Sequence, residues 1–138
     1  MSVPAAAATQ LRRISPYFIV NDVVRSAEYY RDRLGFDFRR YWGDPPCFVM
    51  VHRDGVQIML KQLDRPGQSR PNRTVDADAP WDAYIYVRDV EALYQELKAR
   101  GAKIIRLPER TFYEMTEIEV EECNGYVLCF GQDTSRPK

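Results

Sequence analysis

The chain has 138 residues, 45% of them apolar, which is enough for one compact domain or two small fused modules with a real core. Twenty basic side chains balance twenty acidic ones, so no net field directs the chain toward nucleic acid, an anionic membrane surface or a polyanionic substrate. Cys47, Cys123 and Cys129 are an odd number without metal-type spacing, which points to reduced thiols and a cytoplasmic location, and no apolar run reaches membrane-spanning length.

Residues 1–12 hold Ala5 to Ala8 but no apolar stretch of signal-peptide length, and read as a flexible lead-in. A first module, 13–63, opens with Ile14 to Val20 as a strand. Asp22 then caps a helix on which Val23, Ala27, Tyr30 and Leu34 recur with helical spacing, and Gly35 stops it. Phe36 to Trp42, Cys47 to Val51 and Val56 to Gln62 follow as strands, separated by Gly43-Asp44-Pro45-Pro46 and by the Asp54-Gly55 turn. Residues 64–80, rich in Pro, Gly, Asn, Asp and Arg, form an irregular connector whose length permits exchange of a module between two chains, and hence a homodimer.

The second module, 81–132, repeats the first, with 133–138 as a tail. Trp81 to Val87 is its first strand, Asp89 its helix cap, and Val90, Leu93 and Leu97 its helix stripe, closed by Gly101. Lys103 to Leu107, Phe112 to Val120 and Tyr126 to Gly131 are its remaining strands, with Asn124-Gly125 as a hairpin signal. The words repeat with the order: Val20-Asn21-Asp22-Val23 returns as Val87-Arg88-Asp89-Val90. Asp54-Gly55-Val56-Gln57-Ile58-Met59-Leu60 returns as Asn124-Gly125-Tyr126-Val127-Leu128-Cys129-Phe130. The chain is a βαβββ unit written twice, of the α+β class, and two such halves can enclose one cleft.

Alternation within the strands assigns the faces. Phe18, Val20, Ile58, Leu60, Ile85, Val87, Ile118 and Val120 point one way, as a sheet face beneath a helix should. The other parity carries Ser15, Tyr17, Gln57, Met59, Asp82, Tyr84, Tyr86, Glu117, Glu119 and Cys129, a mixture suited to a ligand cleft, or to a solvated sheet face. Glu114, Glu117, Glu119, Glu121 and Glu122 form the one dense acidic run. Crowding there could raise a carboxyl to the range of a general base, with Glu117 the candidate, or the run is a solvated strand edge. Glu117 and Glu119 beside Tyr17, Trp42, Trp81, Tyr84 or Tyr86 also suit an organic cation, through charge pairing and ring-face attraction. His52, the sole histidine, reads as a surface residue beside a turn, and Cys129 has no activating neighbour in its own strand.

These residues resemble the vicinal oxygen chelate superfamily, which holds glyoxalase I, bleomycin resistance proteins and extradiol dioxygenases. The resemblance covers Ile14 to Gln132. It rests most on Val20-Asn21-Asp22-Val23-Val24-Arg25-Ser26, on Tyr29-Tyr30 with Leu34-Gly35-Phe36, and on Gly125-Tyr126-Val127-Leu128-Cys129-Phe130-Gly131. It implies curved mixed sheets around a shared cleft with helices outside, often in a dimer.

In metal-dependent members, four symmetric places supply the ligands, and here they hold Ser15, Met59, Asp82 and Cys129. A divalent ion in such a site wants His nitrogen and carboxylate oxygen, and only Asp82 meets that plainly. The expectation is a small-molecule-binding protein of the glyoxalase and bleomycin resistance type, with no cofactor. The ligand set is Tyr17, Trp42, Gln57, Met59, Asp82, Tyr84, Tyr86, Glu117, Glu119 and Cys129. A metal-dependent lyase or dioxygenase with an altered divalent-metal site, and a purely structural partner-binding protein, are the alternatives.

Overall fold

The structure is a computed structural model that describes residues 2–6, 8–65 and 69–136. Each half gives one four-stranded mixed sheet. In the first, β1 (Tyr17–Val20) lies parallel to β4 (Val56–Gln62), followed by antiparallel β3 (Phe48–Arg53) and β2 (Tyr41–Trp42). In the second, β5 (Ala83–Tyr86) lies parallel to β8 (Val127–Asp133), followed by β7 (Met115–Glu121) and β6 (Ile104–Arg110). The two sheets are not joined by strand pairing, and together with the helices they make the expected α+β architecture.

Helix α1 (Val23–Leu34) begins where Asp22 accepts from the backbone N–H of Val24 and Arg25, and ends at Gly35, whose left-handed φ of 74° suits glycine. Helix α3 (Val90–Ala99) begins in the same way, with Asp89 accepting from Ala92. A second device is also duplicated. The Gln62 side-chain oxygen accepts from the N–H of Val23 at 2.9 Å, and that of Gln132 accepts from Val90 at 2.9 Å, so each last strand holds its own module's helix start.

Several boundaries differ from the sequence reading, each for a local reason. β1 starts at Tyr17 because Pro16 has no N–H to add to the ladder, although its carbonyl accepts from Met59. The strand expected over Phe36 to Trp42 shrinks to Tyr41–Trp42 and one isolated bridge, Asp37 to His52, because the Asp37 carboxylate turns back onto the N–H of Phe38. The connector contains a short helix, α2 (Asn72–Val75). Asn124-Gly125 does not make a two-residue hairpin: a wider loop forms around the buried Glu122 carboxyl, which accepts from the N–H of Asn124 and Tyr126.

One core runs through both modules. Val23, Ala27, Tyr30 and Leu34 on α1 and Val90 and Leu97 on α3 cover Val49, Val51, Ile58, Leu60, Ile118, Val120 and Leu128 on the helix-side faces of the sheets. Each such aliphatic side chain contributes about 1.5 to 3 kcal/mol when fully buried. Phe18 of β1 stacks on Tyr126 of the second module at 4.2 Å, and the Tyr126 hydroxyl donates to the Ile19 carbonyl.

Each module's last hairpin grips the other module's helix. Arg53, at the end of β3, donates to Glu96 of α3 at 2.6 Å and to the Leu34 carbonyl. Asn124 donates to the Ser26 hydroxyl of α1 and accepts from the Asn21 N–H. This arrangement leaves the opposite face of each sheet uncovered by α1 and α3.

Candidate functional site

The helix-free face of the first sheet follows from its register. Tyr17 pairs with Met59, Met59 with Met50, Gln57 with His52, and Trp42 with Phe48, so these side chains share one face. Trp42, Met50, His52 and Gln57 among them line a hollow of about 610 Å³, together with Arg13, Arg39, Arg40 and Asp54. The Arg40 guanidinium lies 3.6 Å from the centre of the Trp42 ring and holds that indole against the hollow's edge. Gln57 donates toward the Met50 sulfur at 3.2 Å. Of the expected ligand residues, Trp42 and Gln57 line this hollow, and Tyr17 and Met59 stand on the same face. His52, expected as a surface residue beside a turn, is half-buried and belongs to the lining.

The matching face of the second sheet is built differently. Tyr84 pairs with Cys129 and Cys129 with Glu119, while Tyr86 and Glu117 both pair with Gly131, so these expected residues do share a face. That face is occupied by its own side chains. Arg106 of β6 lies over it, donating from Nη2 to Glu117 at 2.8 Å and from Nη1 to Glu119 at 2.7 Å. Arg73 of α2 donates to Glu119 at 3.0 Å, and the Trp81 indole donates to it at 3.3 Å. The hydroxyls of Tyr84 and Tyr113 donate to Glu117 at 2.8 and 2.6 Å. Gly131 makes the Tyr84 bond possible: a Cβ there would run into the Tyr84 ring and hydroxyl.

Two carboxylates that the sequence offers as an open cationic-ligand site are therefore matched by two guanidinium groups of the same chain. Burial alone would raise Glu117, but the hydroxyls of Tyr113 and Tyr84 and the Arg106 guanidinium outweigh it, and its pKa lies below the usual carboxylate value. That is the wrong direction for a general base. Tyr86 packs its ring 5.0 Å from that of Tyr84, makes no bond to either carboxylate and is 78% exposed.

Ser15, Met59, Asp82 and Cys129, the places the resemblance marks for a metal, present a weak donor set. Asp82 uses Oδ1 to accept from the N–H of Asn72 at 2.7 Å and Oδ2 to accept from Val127 at 2.8 Å, joining the start of α2 to the start of β8. Burial, with Glu117 and Glu119 nearby, pushes the Cys129 thiol up, so it stays protonated. Met59 offers only a thioether and Ser15 only a neutral hydroxyl. No group of three or more His, Cys, Asp or Glu suited to a metal occurs among the described residues.

Sequence reasoning missed Arg106, Arg73 and Tyr113 on the second face and Arg13, Arg39, Arg40 and Met50 on the first. Met50 and His52 were within reach, since they alternate with the core residues Val49 and Val51. Arg106 was not, because register shifts on either side of it break the alternation of β6.

No curated protein matches the chain in sequence. Solved structures do match in fold. A glyoxalase-related enzyme from Clostridium phytofermentans aligns with a TM-score of 0.72 at 13% identity, over 93% of this chain and 99% of that one. A glyoxalase/bleomycin resistance protein/dioxygenase from Alicyclobacillus acidocaldarius aligns with a TM-score of 0.71 at 17% identity, over 94% and 96%. The bleomycin resistance determinant encoded on transposon Tn5 aligns with a TM-score of 0.66 at 19% identity, over 91% and 100%. The family model for the Glyoxalase/Bleomycin resistance protein/Dioxygenase superfamily matches residues 10–130, and the chain belongs to that superfamily.

Proposed function

We propose that this protein binds a small organic molecule on the helix-free face of its first sheet, without a catalytic metal, and works as a homodimer. The carrying observation is the hollow of about 610 Å³, whose size falls in the range of small-molecule sites and whose wall mixes an indole and a thioether with a few polar groups. Its lining comes from the first module alone, so one side stays open in a single chain. A second copy laid across that side would complete a cleft, in keeping with the exchange that the 64–80 connector permits. One fold relative is a bleomycin resistance determinant, and the mode we propose for this chain is sequestration rather than turnover.

The test is a thermal-shift screen against aromatic metabolites and antibiotics, repeated on Trp42→Ala, with gel filtration and light scattering for the assembly. A ligand raises the melting temperature by mass action, and Trp42→Ala weakens that shift. The reading fails if no compound acts through Trp42, or if dialysis with nickel, zinc, iron or manganese restores a stoichiometric ion together with a catalytic activity.

A further inference from the structure

The two sheet faces turned away from α1 and α3 differ in charge, and the difference decides what the hollow can hold. On the second module, Arg73 and Arg106 answer Glu119 and Glu117 one for one. In the first module's hollow, three guanidinium groups, those of Arg13, Arg39 and Arg40, stand against the single carboxylate of Asp54. None of the three has a carboxylate within 4.0 Å among the described residues, and the Asp54 carboxylate lies 4.0 Å from Arg53, a residue outside the lining. The chain as a whole is neutral, so this excess is local.

Guanidinium groups without a carboxylate partner around a concave surface are suited to an anion, because the fork of N–H donors, free at its edge even where the face of Arg40 stacks on Trp42, fits a carboxylate, sulfonate or phosphate edge to edge. The indole of Trp42 and the Met50 thioether beside them supply a flat apolar wall. A cation would instead meet like charges with one carboxylate to offset them.

We infer that the first-module hollow is a site for an aromatic anion, a planar molecule bearing a carboxylate, sulfonate or phosphate group, held by Arg39 and Arg40 at its charged end and by Trp42 and Met50 on its ring. This rests on the hollow being the ligand site at all, as proposed above, and the experiment keeps the two apart.

The probes are anilinonaphthalene sulfonate and its uncharged parent phenylnaphthylamine, which share a ring system and differ in the sulfonate. Binding is read on the full-length protein carrying Trp81→Phe, by quenching of the remaining Trp42 emission, so the signal reports the hollow. The sulfonate should bind about tenfold more tightly than the parent, and added salt should erase most of the gap. Arg39→Gln should weaken the sulfonate several-fold while leaving the parent unchanged, Arg40→Gln, which also releases the Trp42 indole, should weaken the sulfonate more than the parent, and Asp54→Asn should tighten the sulfonate. Equal affinity for both probes, indifferent to the arginine variants, overturns the anion assignment and leaves the site standing. Absence of Trp42 quenching by either probe overturns both. Denaturation midpoints of the variants show that the fold is unchanged.

Discussion

Arg106 Nη2 and Glu117 Oε1 meet at 2.8 Å above the second sheet, with the Glu117 side chain fully shielded from solvent. A shielded carboxylate without its cation carries a large desolvation cost. Arg106→Ala should lower unfolding stability by about 3 to 5 kcal/mol, the range seen when one partner of a buried pair is removed. Urea unfolding measures this. A loss under about 1 kcal/mol would mean that the pair is solvated and the face is open.

The same carboxylate should leave a mark on the pH dependence. Glu117 has a folded pKa below its ordinary value, so the unfolded chain binds more protons between the two values and stability rises with pH across that window. The contribution is complete above the ordinary carboxylate range and is lost as pH falls through the depressed value. Glu117→Gln should therefore be less stable than the parent near neutrality, with the difference shrinking as pH falls toward about 3. Parallel pH curves for the two proteins would contradict the assignment.

Gly131→Ala should be costly although the residue sits in a regular strand. The added methyl runs into Tyr84, which must swing away from Glu117. A loss of about 1 to 3 kcal/mol is expected from such overpacking. Tyr84→Ala in the same chain should recover part of it, giving a coupling energy in a double-mutant cycle. Additive losses would show that the two residues do not meet.

Asp82, one of the four places the sequence resemblance marks for a metal, accepts two backbone N–H groups. Asp82→Ala should cost about 1.5 to 3 kcal/mol, as for bonds to a charged group, and should leave the uptake of added zinc or nickel unchanged. Isothermal titration reads the second part. A drop in metal affinity would return Asp82 to the role its position suggests.

Much of the fold is legible in the sequence because its signals are local. The two Asp caps, Gly35 and the period-two runs of β4 and β7 need no knowledge of distant residues. The repeated strings around Asp22 and Asp89 announce the duplication directly. The site is less legible. Alternation correctly groups Tyr84, Glu117, Glu119 and Cys129 on one face, but it cannot say that Arg73 from the connector and Arg106 from an irregular strand fold over them. A neutral composition likewise conceals that Glu117 and Glu119 on the second sheet are matched by Arg106 and Arg73, while Arg13, Arg39 and Arg40 around the first sheet's hollow have no carboxylate within 4.0 Å among the described residues.

The reciprocal grip of hairpin on helix, Arg53 on Glu96 and Asn124 on Ser26, means that either half carries both the hand and the handle. Opening the chain after the exposed Asp64 should give two polypeptides that still clasp one another and elute together in gel filtration. Separate elution of folded halves would show instead that the covalent tether does the holding. Such a mutual embrace is what two identical ancestors would need to associate before a single gene joined them.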